Sequence, residues 1–187
     1  MPRLSRPSLL TALLCVSVIL NLVLASQVIR LGRAPKGLTT EARLEVGAAA
    51  PAIAARTLRG EPVSVGGNDL PLILYVFTPR CVWCARNLDN AKALAAATKG
   101  RYNFVALSLE DEGVEDYVAR HAIGFTVYRG VSAESRAGYL LGRTPQTIAV
   151  SAAGRVEKNW VGAYGPEIES QVEAYFQTTL PGLSPGR

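Results

Sequence analysis

Cys81-Val-Trp-Cys84 places two thiols one helical turn apart, a spacing that lets one sulfur attack a disulfide and the other resolve the mixed disulfide so formed. Other readings of the pair are weaker. An inert disulfide closing so small a ring would constrain little of the unfolded chain. Structural zinc needs four protein ligands, whereas the third cysteine, Cys15, lies in an apolar segment and His121 is the single histidine, read as a helix-surface residue without a role. Copper(I) accepts two thiolates, so a non-catalytic copper-binding or assembly protein stays as an alternative. The dithiol reading calls for no metal and no cofactor. Between the cysteines, Trp83 is either docking surface or packing.

The neighbouring elements decide how such a pair is presented. Leu72–Phe77 is an unbroken apolar run between Pro71 and Pro79, the pattern of a central strand covered on both faces. Cys84, Leu88, Ala91 and Ala95 then recur at helical spacing, and Gly100 ends that helix. Cys81 therefore stands at a strand-to-helix junction, where unpaired backbone N–H groups favour a thiolate and Arg80 adds positive charge. That makes Cys81 the expected nucleophile and the inward-facing Cys84 the resolving thiol. A second strand at Phe104–Leu109 and a helix at Val114–His121 give the order β, α, β, α, which predicts a parallel pairing.

The remaining elements are less regular. A small hairpin is expected between Pro51 and Val65 around Arg59-Gly60, a short strand at Phe125–Tyr128, and an irregular stretch over 132–138. Thr147–Val150 and Val156–Val161 flank Ala153-Gly154 as an antiparallel hairpin. Pro166 starts a last helix with Ile168, Val172, Tyr175 and Phe176 on one face, and the tail 181–187 reads as loose. In Arg143-Thr-Pro-Gln-Thr147 a proline directly precedes an apolar strand. Its isomer is not readable from these residues alone.

The net charge of +5 is local: Arg3, Arg6, Arg30, Arg33 and Lys36 fall in the first 36 residues with no acid, leaving 15 basic and 15 acidic side chains in the rest. A domain neutral by count lacks the footprint of a nucleic-acid binder. The basic residues flank an uncharged stretch from Pro7 to Ile29, and Ser8–Ile29 as a helix would extend ~33 Å, enough for a bilayer core. The segment 1–29 reads as a retained membrane anchor or as a signal cleaved after Ala25, where Val23 and Ala25 suit the small-residue rule. Cations on both sides leave the positive-inside rule without a preference. Residues 30–45 read as a linker and 46–180 as the folded domain.

Taken together, Phe77 to Cys84, the helix after it, Thr144-Pro145-Gln146-Thr147 and the Ala153-Gly154 hairpin resemble the thioredoxin fold over most of residues 46–178. The early hairpin and the N-terminal segment make the chain similar to membrane-anchored disulfide reductases of the TlpA and ResA type, with MauD-like proteins related. The resemblance implies an α/β fold with a central mixed sheet flanked by helices and an added N-terminal hairpin. It implies a cis Pro145 beside Cys81, and Thr144 offering its backbone to an extended substrate segment. It also implies protein thiols and disulfides as partners, a membrane electron donor, and a place at the inner membrane facing the periplasm, or in solution there if the segment is cleaved. The chain departs from the pattern where thioredoxins carry a buried aspartate, here Tyr75, and where ResA-like proteins carry a glutamate, here Asn87. Thr78, three residues before Cys81, has the spacing of a peroxiredoxin-like peroxidase site, but Leu74 replaces the proline such sites place ahead of it.

Overall fold

A computed structural model describes residues 6–33, 44–67 and 69–185, with side chains of the N-terminal helix described at Thr11 and over 13–26. The chain divides into two units, Met1–Ala42 and Arg43–Arg187. In the first, α1 spans Arg6–Arg33 and so runs past Ile29 into the stretch expected to be linker. Its described side chains are all exposed. Two polar ones fold back on the helix: Asn21 Nδ2 donates to Ser17 O (2.8 Å) and Ser26 Oγ to Val23 O (2.7 Å). Among the described residues, no helix is long and apolar enough to cross a membrane. The rest of the expected linker up to Arg43 lies outside the described residues.

The second unit is a seven-stranded mixed sheet. Its strands are β1 (Ile53–Thr57), β2 (Pro62–Val65), β3 (Leu72–Phe77), β4 (Asn103–Ser108), β5 (Thr126–Arg129), β6 (Gln146–Val150) and β7 (Val156–Val161). They lie in the order β2-β1-β5-β4-β3-β6-β7. β3 pairs parallel with β4, and β4 with β5, while β6 and β7 add antiparallel on the other side of β3. The expected hairpin, β1–β2, joins antiparallel beyond β5.

β3 is buried along its whole length because both faces of the sheet are covered. Its alternate side chains feed two cores. Ile73, Tyr75 and Phe77 pack with Leu88, Leu94, Val172 and Phe176 on one face, and Leu72, Leu74 and Val76 pack with Ile53, Leu107, Tyr139 and Leu44 on the other. The helices are α2 (Val82–Arg86), α3 (Leu88–Ala97), α4 (Val114–Arg120), α5 (Ala133–Gly138) and α6 (Pro166–Phe176).

Three details differ from the sequence reading. The helix expected as one piece after Cys81 is broken at Asn87, whose side chain turns to hydrogen-bond elsewhere in the core. The stretch 132–138 is irregular by pattern, yet Ser132 Oγ accepts the Ser135 N–H and starts α5. The tail from Pro181 has no regular secondary structure but is tied down, because Ser184 bonds to Arg86 and Asp89.

The buried phenols set an alkaline limit to this fold. Burial pushes Tyr117 and Tyr139 up to about 12 from 10.0 and raises Tyr75 and Tyr164 further. A phenol whose folded value exceeds its unfolded one contributes stability that is complete below the unfolded value and lost as pH rises through the folded one. Stability should therefore hold up to about pH 10 and fall towards pH 12. Tyrosinate absorbance and circular dichroism should change together in that range. If most tyrosinate formed while the dichroism stayed native, the phenols would be accessible and the expectation wrong.

Candidate active site

The site sits at the carboxyl end of β3. After Phe77 the chain turns through Thr78-Pro79-Arg80, with Cys81 N–H donating to Thr78 O (3.2 Å). Cys81 is the N-cap of α2, and its Sγ accepts the Cys84 N–H at 3.0 Å, so a helix-end donor that would otherwise lack a partner points at the sulfur. Cys81 and Cys84 form a disulfide. Cys81 is half-buried, whereas Cys84 is 0% exposed. The outer sulfur can be reached by a partner molecule and the inner one cannot, which is the asymmetry that separates an attacking from a resolving thiol.

The pairing of β6 with β3 brings the second motif to this sulfur. Gln146 lies opposite Val76, so the residues before Gln146 pass the end of β3. There the Thr144-Pro145 bond is cis, as expected, and Thr144 O lies 3.6 Å from Cys81 Sγ. Pro145 is buried and its carbonyl accepts the Gly162 N–H (2.8 Å). Cys81, Cys84, Thr144 and Pro145 thus converge. Trp83 stands at the outer edge, 52% exposed, with the Arg86 guanidinium carbon 4.7 Å from its ring centroid.

One charged neighbour is placed differently from the sequence reading, and the single histidine stands at a helix end as read. Arg80 turns to Glu110 (3.3 Å) and Glu112 (3.9 Å), so its charge is shared with two carboxylates instead of being directed at Cys81. His121 stacks on Tyr117, 4.4 Å between centroids, at the end of α4.

Beneath Cys84 lies a layer of neutral polar groups. Tyr75 Oη donates to Cys84 O (3.3 Å). Burial pushes this phenol far above its ordinary value, the nearby Tyr164 phenol adds to the effect, and the adjacent Asn87 amide partly offsets it. Asn87, fully buried, accepts through Oδ1 from Tyr164 N–H (3.0 Å) and from Asn90 Nδ2 (3.0 Å). These two donors fix the amide orientation, because the flipped form would face N–H with NH2. Asn87 Nδ2 is left without a hydrogen-bond partner. Thr147 Oγ1 and Tyr164 Oη complete the layer at 2.7 Å. None of these groups is a carboxylate able to take a proton from Cys84. Asn90 and Tyr164 were not singled out by sequence, and Thr147 was named only as part of the proline motif and the strand after it; for Asn90 the available signal was a polar residue beside the apolar positions of its helix.

No family model and no curated protein matches the chain. Solved structures do. StoA from Bacillus subtilis is similar with a TM-score of 0.56 and 20% identity, over 70% of this chain and 98% of that one. The thioredoxin family thiol:disulfide interchange protein from Chlorobium tepidum gives 0.57 and 16%, over 70% and 97%. The fold is thioredoxin-like. A secreted Mycobacterium tuberculosis disulfide oxidoreductase, described as homologous to E. coli DsbE, shares the thioredoxin-like architecture with a TM-score of 0.53 and 22% identity, over 65% and 94%. Among the described residues of the thioredoxin-like unit, no three His, Cys, Asp or Glu side chains converge as a metal site.

Proposed function

We propose that this chain is a thiol-disulfide oxidoreductase of the TlpA and ResA type that reduces protein disulfides outside the cytoplasm. The observation that carries the reading is a half-buried Cys81 that accepts an N–H at 3.0 Å, backed by a fully buried Cys84 and faced by the Thr144 carbonyl. In the dithiol form the Cys81 thiolate attacks one sulfur of a substrate disulfide. A Cys81–substrate bond forms, and the other substrate sulfur leaves and takes a proton. Cys84 then loses its proton and attacks Cys81 Sγ, expelling the second substrate thiol and closing the Cys81–Cys84 disulfide. The substrate gains two electrons and two protons, which a dithiol donor at the membrane restores to the pair. An extended substrate segment aligns along the Thr144 backbone as a short added strand.

Residues 1–29 serve in this proposal as inner-membrane tether or as a signal cleaved after Ala25, the residues ahead of the folded unit that begins at Arg43 as linker, and the domain faces the periplasm. That part rests on the uncharged sequence from Ser8 to Ile29, whose ends lie outside the described side chains. Fractionation with alkaline extraction tests it: a pellet-bound chain retains the segment, and a soluble exported chain starting after Ala25 has lost it.

The direction is tested by equilibrating the Cys81–Cys84 couple in glutathione buffers. A reductant should lie near the thioredoxin value, about −270 mV. A potential near −120 mV, that of the strong oxidant DsbA, would reverse the assignment.

A further inference from the structure

Beyond α6 the chain does not leave the domain. Leu180 is buried in the core against Phe176, and its N–H donates to Glu173 Oε1 (2.7 Å). The residues after it return to the helix that carries the cysteines. Ser184 N–H donates to Arg86 O (2.9 Å), Arg86 Nε donates to Ser184 O (3.0 Å), and Ser184 Oγ donates to Asp89 Oδ2 (2.7 Å).

This exchange constrains Arg86, a side chain that sequence pattern would leave free in water. Its guanidinium is held from the tail at Nε and lies against the Trp83 ring at 4.7 Å. A planar cation fixed over an indole covers one ring face and leaves the remainder of the ring to solvent. Trp83 is 52% exposed, and Val82 beside it is 65% exposed. The two are exposed apolar residues directly after Cys81 in the chain, whose sulfur lies 3.6 Å from Thr144 O.

We infer that the C-terminal strap 180–185 acts through Arg86 to hold Trp83 as an apolar docking rim for disulfides carried on polypeptide segments with apolar side chains beside the cysteine. This rests on the oxidoreductase reading above. Arg86 and Ser184 are positioning residues: neither reaches the reacting sulfurs, and both act by fixing the ring that the substrate meets. The rim discriminates protein disulfides from small disulfides that have no apolar side chain to lay against it.

The test compares the full-length protein with Ser184→Pro, which removes the N–H and hydroxyl donors but no charge, and with Arg86→Ala, Arg86→Lys and Trp83→Ala. Insulin is the apolar-flanked disulfide substrate and bis(2-hydroxyethyl) disulfide the small one. Ser184→Pro and Arg86→Ala should each raise KM for insulin about five- to tenfold with kcat little changed, the size expected from losing one contact at an interface rim. Ser184→Pro should leave turnover of the small disulfide and the pair's reduction potential unaltered. Combining Ser184→Pro with Trp83→Ala should add nothing to Trp83→Ala alone, since both remove the same contact. Arg86→Lys keeps the charge but loses the fixed plane and should resemble Arg86→Ala.

Acrylamide quenching gives a readout independent of activity. Trp160 is only 5% exposed, so quenchable fluorescence reports on Trp83 and should rise when the strap is released. Unchanged quenching and insulin KM in Ser184→Pro and Arg86→Ala would overturn the inference, as would equal slowing on both substrates. A wild-type protein inactive on both disulfides would instead sink the oxidoreductase reading itself.

Discussion

Cys84→Ser is expected to accumulate covalent adducts of substrate protein on Cys81 and to lose turnover by on the order of a thousandfold or more. Cys84 is fully buried while Cys81 is half-exposed and receives the Cys84 N–H, so only the outer sulfur meets an incoming disulfide. Serine at position 84 keeps the backbone donor and the small volume but cannot expel the bound thiol. The intermediate should then persist on non-reducing gels and release its partner when reductant is added. Cys81→Ser should give no adduct, because its remaining thiol is enclosed by the core. Trapping through Cys84 in that variant, with none in Cys84→Ser, would exchange the two roles.

Much of this arrangement was legible in the residues because local pattern and tertiary position agree. The run Leu72–Phe77 has no polar side, and a strand without a polar side has to be covered twice, which is how β3 sits between its two cores. The turn after it and the apolar spacing from Cys84 onward fixed where the thiols stand. What escaped is whatever depends on a distant partner. The break at Asn87 leaves the apolar spacing of Cys84, Leu88 and Ala91 intact, and the Tyr164 N–H that its side chain meets is 77 residues away in sequence. The short helix α5 has no buried face and no apolar period, so only its Ser132 cap could have announced it. The tail was read as loose because residues 181–187 are mostly proline and glycine around a single leucine, and its hydrogen bonds to Arg86 and Asp89 carry no local signature.

The layer under Cys84 leads to the second large effect. Tyr75 and Asn87 occupy the two places where a carboxylate was expected, and neither can accept a proton near neutral pH: the phenol is held protonated by burial, and an amide has no site for one. Proton loss from a thiol enclosed in such surroundings is disfavoured, so resolution of the mixed disulfide should limit turnover. Asn87→Asp supplies the missing acceptor without changing shape. The carboxylate inherits two N–H donors, from Tyr164 and Asn90, which favour its ionised form, while burial opposes it. Release of a chromophoric thiol from a preformed Cys81 adduct should then quicken by about a hundredfold, with a new ionisation in its pH profile. The same buried charge should lower stability by about 3 kcal/mol, seen as a reduced denaturant midpoint. A release rate unchanged at every pH would mean that the proton leaves Cys84 by a route that bypasses Asn87, and that its replacement of an acid costs this chain nothing in speed.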